Sequence, residues 1–411
     1  MLDGVRFAAF TAAEIPDGRD RGLANRLVTT ALRRHGHLTE IVRRLLDKGM
    51  PGKSGSFEAV LRLGLAQLLY LPEIGAHSAI FLAVEAVKRD KRSQHLAKLL
   101  NAVLRRAQRE AESFRALAPE LLFPAALRER WAAAYGTGTI EGFAEALLAG
   151  AALDLTLKHA DPSLAEMLGG RLVLPDVLRL ESRDRPVEEL PGYAAGQWWV
   201  QDMAATLPAR LIDLPAGARV LDLCAAPGGK TAQLLKAGYS VTALDADADR
   251  LRRLEANLSR LGYGAEIVTA DAEAYAAAEP YDAVLLDAPC SATGTFRRHP
   301  EVVWRRDLGD VAGRVALQRR LLANAVRCLK PGGQLVYCVC SLEPEEGELQ
   351  LQWIADALPE LTLDPVPAPV AALLPQAAAS AGWLRTHPAQ AVPGGLPGTL
   401  DGFFTARFSR R

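Results

Sequence analysis

The residues best suited to chemistry lie in two short stretches, Asp287-Ala-Pro-Cys290-Ser-Ala-Thr-Gly294 and Tyr337-Cys-Val-Cys340-Ser-Leu342. Each follows an apolar run of strand character, so each sets a cysteine at the carboxyl end of a strand. A lone buried cysteine is usually an inert small hydrophobe. A cysteine behind a proline at one strand end, facing another at the adjacent end, is hard to explain as packing. One reaction calls for such groups. A thiolate adds to C6 of a pyrimidine and makes C5 nucleophilic towards an electrophilic methyl group, and a second group then helps to remove the C5 proton and expel the thiol.

The element that positions this chemistry is Ala218–Thr231. Val220, Leu221 and Leu223 form an apolar strand that feeds Cys224-Ala-Ala-Pro-Gly-Gly229, after which Leu234 and Leu235 mark one face of a helix. Strand, tight loop and helix make the opening unit of a doubly wound, Rossmann-like α/β sheet. Its glycines let the backbone approach a ligand, and the helix start offers unpaired N–H groups. Gly229-Lys230-Thr231 fits the last three positions of a phosphate-binding P-loop, but Cys224 stands where the first glycine is required. No Gly-x-Gly-x-x-Gly is present either, so the expected ligand is a nucleoside without a polyphosphate.

Strands and helices then alternate: strand Tyr239–Asp245, helix Asp247–Leu261, strands Ala265–Asp271 and Tyr281–Asp287, and a long helix Val311–Leu329. Lys330-Pro-Gly-Gly333 stops that helix before strand Gln334–Ser341, and Leu361–Pro365 and Phe403–Phe408 complete the sheet, the last as an antiparallel edge. Ligands of open α/β sheets bind beyond the carboxyl ends of the strands. Successive strands present Asp245, Asp271, Asp287 and Cys340 there. Asp245, 17 residues after Gly228, is placed to accept from both ribose hydroxyls, and Asp271 to receive an adenine amino group.

With 411 residues, 49% of them hydrophobic, the chain has enough apolar content for two or three domains. Its apolar runs are too short to span a bilayer, and Met1-Leu-Asp-Gly-Val-Arg-Phe lacks the features of a signal peptide. The five cysteines lie between Cys224 and Cys340 with no Cys-x-x-Cys pair, which argues against a disulfide framework or a metal site and for the reducing cytoplasm. Net charge is zero, but residues 1–140 hold 22 Lys and Arg against 14 Asp and Glu, and the remainder 26 against 34. A basic front beside a mildly acidic catalytic part suits docking on nucleic acid. Residues 1–139 read as helices, with Leu38, Ile41, Val42, Leu45 and Leu46 on one stripe and Leu96, Leu99, Leu100, Val103 and Leu104 on another. Residues 140–205 read as a small linking subdomain with short strands at Leu153–Lys158 and Arg171–Pro175, and 206–411 as the catalytic domain.

The motifs resemble a known family. Asp222-Leu-Cys-Ala-Ala-Pro-Gly-Gly-Lys230, Asp287–Gly294, Arg297-Arg-His-Pro300 and Cys340-Ser341 are similar to the S-adenosylmethionine-dependent RNA cytosine-5 methyltransferases. Gly18-Arg-Asp-Arg-Gly-Leu-Ala24, Leu63–Tyr70, His77 and Leu100-Asn-Ala-Val-Leu-Arg105 resemble a NusB-like RNA-binding domain, a combination found in the bacterial 16S ribosomal RNA branch, the Fmu/Sun family. The likeness implies S-adenosyl-L-methionine as cofactor, with Cys224, Ala225, Ala226, Pro227, Gly228, Gly229 and Lys230 lining its methionine and ribose parts, Asp245 at the ribose and Asp271 on the adenine side. It implies that Asp287 lies near the methyl donor and the target cytosine, that Cys340 is the nucleophile, and that Cys290 assists product release. The partner implied is 16S rRNA, naked or in a partly assembled subunit, met by a monomer without membrane or metal. Two departures stand out. The family's first helix begins ahead of the position of Met1, and Val339 replaces a usual threonine on the face away from Cys340. The same alternation sets Cys338 on the face of Cys340, where it is a possible stand-in for it.

Arg297, Arg298, His299, Arg305 and Arg306, with Trp304 among them, form a basic stretch suited to holding RNA phosphates while a base leaves its stack. Other readings keep parts of this pattern. A DNA cytosine-5 methyltransferase would use Cys290 as nucleophile but also carries a Glu-Asn-Val motif, which this chain lacks. The RNA could be tRNA or another species, or the chain could be a non-catalytic assembly factor, although such a factor has no physical need for Asp245, Asp287, Cys290 and Cys340 together.

Overall fold

The computed structural model describes residues 8–180, 185–305, 309–377, 382–395 and 399–411. The chain forms two compact units, Met1–Leu148 with His299–Arg305, and Ala149–Arg298 with Arg306–Arg411.

In the first unit the apolar stripes become helices α1 (Gly18–Arg33), α2 (His35–Leu45), α3 (Phe57–Tyr70), α4 (Ala76–Arg89), α5 (Ala97–Arg109), α6 (Ala111–Arg115), α7 (Ala125–Tyr135) and α8 (Thr139–Ala149). Asp17 caps α1 by accepting the N–H groups of Arg19 and Asp20. Leu38, Ile41, Phe57, Leu61, Leu65, Leu100 and Leu104 close a fully buried core from α2, α3 and α5. Several basic side chains on these helices pair with acids on their own helix: Arg43 and Arg44 with Glu40 at 2.8 and 2.7 Å, Lys88 with Glu85 at 2.7 Å, and Arg106 with Glu110 at 2.9 Å.

The second unit begins with β1 (Leu153–Leu157), α9 (Pro162–Leu168), β2 (Arg171–Leu174), β3 (Val177–Leu180) and β4 (Trp198–Val200). These strands form a four-stranded antiparallel sheet in the order β2-β3-β1-β4. Asp154 on β1 and Arg179 on β3 face each other across it in a buried two-pronged pair at 2.7 and 2.8 Å, and Asp154 also accepts the N–H of Met203 at 3.0 Å.

The main sheet is built from β5 (Arg219–Leu223), α10 (Gly229–Lys236), β6 (Ser240–Asp245), α11 (Ala248–Leu261), β7 (Glu266–Thr269) and β8 (Tyr281–Asp287), followed by the helical turn α12 (Val302–Arg305) of the first unit. It continues through α13 (Gly309–Arg327), β9 (Leu329–Val339), α14 (Glu348–Ala357), β10 (Leu361–Leu363), α15 (Ala368–Leu373), β11 (Trp383–Thr386) and β12 (Phe403–Arg410). Its order is β10-β12-β9-β8-β5-β6-β7, with β11 beside β12. Strands β5 to β9 are mutually parallel, and the order reverses between β5 and β8, where α/β folds open their ligand crevice.

Two sequence expectations change. Phe403–Phe408 is antiparallel, but β12 is no edge: it pairs with β9 on one side and with β10 and β11 on the other. Lys330-Pro-Gly-Gly333 does not precede β9 but interrupts it. Pairing with β8 starts at Tyr281–Leu329 and resumes at Ala283–Gln334, so Pro331 and the glycines bulge out, and Gly332 supplies the positive φ of 78° that this needs.

Removing one member of a buried ion pair strands the other charge, so Asp154→Ala should lose about 3–5 kcal/mol of unfolding free energy in urea. Asp154→Asn, which keeps an acceptor for Arg179 and Met203, should lose less; equal losses would mean that a neutral acceptor recovers nothing and that the charge carries the whole effect.

Candidate active site

Strands β8 and β9 run side by side with Asp287 opposite Cys338, so their carboxyl ends emerge together. The Sγ atoms of Cys290 and Cys340 lie 3.5 Å apart, with Cys290 buried and Cys340 half-buried. Backbone bonds tie the two loops: Ala288 N–H donates to the Cys338 carbonyl at 3.0 Å, and Gly294 N–H to the Cys340 carbonyl at 3.1 Å. Gly294 also abuts Gly402, whose N–H donates to its carbonyl at 2.9 Å. A Cβ on Gly294 would sit 2.0 Å from the Gly402 oxygen, so only glycine lets the Cys290 loop close down.

A buried polar network fixes the loop ends. Glu346 accepts the N–H of Ser291 at 2.9 Å and its hydroxyl at 2.5 Å, and the side-chain amide of Gln318 at 3.0 Å. Ser291 and Ser341 hydroxyls meet at 2.9 Å, the Thr293 hydroxyl accepts from Leu342 N–H at 3.0 Å, and Arg385 donates to the Ser341 carbonyl at 2.5 Å. Nothing in the sequence marked Glu346 or Arg385, and Ser291 stood out only as a member of the Asp287–Gly294 stretch. They carry no periodicity, and their partners are distant in the chain.

The thiols are chemically unequal. The bond to Cys340, then burial, then the negative charges of Cys340 and Glu346 push the Cys290 thiol well above the usual cysteine range. Cys338 is also raised, by burial and by Asp287, to which its sulfur donates at 3.5 Å. Fully buried and engaged in this way, Cys338 is poorly placed to stand in for Cys340. Two cations feel Cys340. Lys230 pairs with Asp287 at 2.7 Å, and although burial works against its charge, Asp287 and the nearby thiols hold it above the ordinary lysine value. Arg298 likewise feels Asp401 most and the Cys340 sulfur in addition, which outweighs its burial.

The crevice beyond β5 and β6 gathers the remaining groups. Cys224 has φ +62° and Gly228 φ +99°, and a Cβ on Gly228 would meet Leu254 Cγ at 2.7 Å, so the loop closes tightly over α11. Ala225 and Ala226 are buried in it, while Pro227 stays exposed. Asp245 ends β6 and accepts the N–H groups of Ala226 at 3.2 Å and Asp247 at 3.0 Å, with Arg250 at 3.4 Å. Asp271 lies beyond the end of β7, exposed, accepting the Glu273 N–H at 2.9 Å. Beneath the loop Asp222 is fully buried. Thr231 donates to one of its oxygens at 2.7 Å and the other has no hydrogen-bond partner among the described residues. A small-residue loop over a helix start, flanked by the acid of β6 and by the Lys230–Asp287 pair, fits a nucleoside with a charged amino-acid tail: Asp245 for hydroxyls, Lys230 and Asp287 for the zwitterion and the reacting end.

The basic stretch needs a correction. Arg297 is completely buried: one terminal nitrogen donates to Asp202 at 2.6 Å and Asp401 at 2.8 Å, the other to the Thr399 carbonyl at 2.8 Å. Committed to two buried carboxylates, it is a strut and cannot take up a phosphate. Arg298 shares Asp401 but is about a third exposed, its side chain at 38%. His299 and Arg305 are half-buried in the first unit, where the Trp304 and His35 rings meet at a tilt of 59° with centroids 4.7 Å apart. Arg306 lies outside the described residues. Among the described residues no group of three or more His, Cys, Asp or Glu is arranged to hold a metal, and no helix is long and apolar enough to cross a membrane.

A Rossmann-like sheet with this crevice and a thiol pair at its strand ends defines an S-adenosylmethionine-dependent methyltransferase. The chain belongs to the 16S rRNA methyltransferase RsmB/F family, whose model matches residues 209–409, and residues 6–109 match the NusB family. It is 39% identical over 365 residues to the ribosomal RNA small subunit methyltransferase B of Xanthomonas campestris, covering 84% of this chain and 82% of that one. It is 35% identical over 423 residues to the protein of the same name in Vibrio cholerae, covering 96% and 90%. Among solved structures, PH0851 superposes with a TM-score of 0.78 at 22% identity over 97% of this chain and 92% of that one. A methyltransferase homolog from Pyrococcus horikoshii does so with a TM-score of 0.54 at 27% identity over 71% and 98%. The protein is therefore an rRNA methyltransferase that uses S-adenosylmethionine, and its front domain is NusB-like.

Asp222 generates a prediction. Burial raises its carboxyl from near 3.8 to about 7, against the pull of Thr231 and Lys230. Between these values the unfolded chain has released a proton that the folded chain still holds, so stability falls as pH rises from about 4 to about 7 and levels off above. Asp222→Asn removes that slope. Its unfolding free energy should gain on the parent by roughly 1–4 kcal/mol between about pH 4.5 and about pH 7.5; parallel stability curves for the two proteins would refute it.

Proposed function

We propose that the protein transfers a methyl group to C5 of a cytosine in 16S rRNA through a covalent Cys340–C6 adduct that Cys290 helps to resolve. The observation that carries this reading is the 3.5 Å separation of the two sulfurs at adjoining strand ends beside Asp287. Cys340 is the more accessible of the two, with Lys230 and Arg298 able to stabilise a negative sulfur. Its thiolate forms the S–C6 bond, and the electron pair of the C5–C6 double bond moves to C5. S-adenosylmethionine supplies the electrophilic methyl group that C5 takes. Asp287, oriented by Lys230, is available to accept from the exocyclic amino group of the cytosine. Loss of the C5 proton to solvent then restores the double bond, and the electrons of the C6–S bond return to Cys340. Cys290, held protonated, meets the departing sulfur with its S–H. The basic helical unit and Arg298 are suited to holding phosphates while the base leaves its stack.

Unmodified 16S rRNA, tritiated S-adenosylmethionine and three proteins test this. Cys340→Ala should lose transfer by at least about a thousandfold, as expected when a covalent nucleophile is removed. Cys290→Ala should accumulate an RNA–protein adduct that survives denaturation. Full activity in Cys340→Ala with a dead Cys290→Ala would reverse the two roles, and transfer to a tRNA transcript but not to 16S rRNA would overturn the substrate.

A further inference from the structure

The loop that carries Cys290 is held by a buried acid to which nothing above gives a role in the reaction. Glu346 ends the 3₁₀ turn Pro344–Glu346, between β9 and α14, and is completely buried. Its carboxylate accepts the Ser291 N–H at 2.9 and 3.2 Å, the Ser291 hydroxyl at 2.5 Å and the Gln318 amide at 3.0 Å, while its own carbonyl receives the Tyr337 hydroxyl at 2.6 Å. All these donors are neutral, and among the described residues no lysine or arginine pairs with Glu346. We infer that Glu346 is a positioning residue for Cys290, fixing its loop against Cys340 and setting a carboxylate beside its thiol.

The Ser291 N–H belongs to the peptide that joins Ser291 to Cys290, so the clamp acts one bond from the Cys290 backbone. With Gly294 bonded to the Cys340 carbonyl at the loop's far side, the sulfur has little freedom to leave its 3.5 Å contact. The charge follows from the same placement. A carboxylate without a cationic partner, in a low-dielectric site, disfavours a second negative charge nearby. The charged and titratable groups around the two sulfurs are Glu346, Tyr337 and Cys338 of β9, Arg385 of β11 paired with Glu348, Lys230 of α10 paired with Asp287 of β8, and Arg298 paired with Asp401. Glu346 is the carboxylate among these without a cationic partner and acts on Cys290, whereas Lys230 and Arg298, each held by its own carboxylate, are cations that feel Cys340. Cys290 is thus set, before any substrate arrives, to retain S–H for the departing thiolate. This rests on the release step proposed above.

The test measures thiol titration in the full-length protein without RNA, by peptide-resolved iodoacetamide labelling across pH. Glu346→Gln keeps an acceptor for Ser291 but removes the charge, so Cys290 should label about tenfold faster at about pH 8.5, a shift of roughly one pH unit. Ser291→Ala removes a clamp bond but leaves the charge, and should leave the Cys290 profile where it was. If Glu346→Gln fails to fold, as a thermal melt would show, Gln318→Lys supplies the missing cation and should move Cys290 the same way. An unchanged Cys290 profile in a folded Glu346→Gln or Gln318→Lys protein would overturn the inference. With RNA, Glu346→Gln should slow turnover by about tenfold while single-turnover methyl transfer stays within about threefold. A shifted profile with unaltered turnover would leave the Glu346 assignment standing and strike the release step instead.

Discussion

The parallel pairing of β8 with β9 is the constraint on which the site depends. Strand pairing fixes register to the residue, because a slip of one would turn every side chain to the other face. Here it sets Asp287 opposite Cys338 and so brings two loops, about fifty positions apart in sequence, out of the sheet together. Everything else at the site refines that placement. Gly294 against Gly402 lets the loops close, and the Glu346, Ser291 and Ser341 bonds stop them from drifting.

Around this frame the charges are spread unevenly. Lys230 and Arg298 are the cations that feel Cys340, and both are themselves held by carboxylates, Asp287 and Asp401. Asp401 in turn is held by Arg297, and Arg297 by Asp202. Such buried networks cost desolvation and contribute little net stability compared with apolar packing. Their use here is orientation: a guanidinium fixed at both ends holds the strand-end loop and the segment before β12 in one arrangement.

Much of the fold was legible because apolar periodicity reports directly on burial. The parallel strands, their order of appearance and the helical front follow from runs such as Val220–Leu223 and stripes such as Leu100, Val103 and Leu104. The placement of β12 inside the sheet was not legible, since an interior antiparallel strand and an edge strand share the same pattern, and only the partners β10 and β11 distinguish them. Nor was the bulge in β9, because Pro-Gly-Gly signals a break whether it ends an element or interrupts one.

The site divides in the same way. Residue type and position at strand ends by themselves picked out the set proposed to act, Asp245, Asp287, Cys290 and Cys340, because those groups lie at the ends of elements the pattern defines. What each charged group does was decided by tertiary structure. Arg297 and Arg298 are neighbours of identical type, yet one is sealed between Asp202 and Asp401 and the other reaches solvent. Glu346 sits in the acid-rich turn Glu343-Pro-Glu-Glu346, and only folding buries it against Ser291. A side chain's protonation and partners depend on the dielectric and charges around it, and those come from residues far away in sequence.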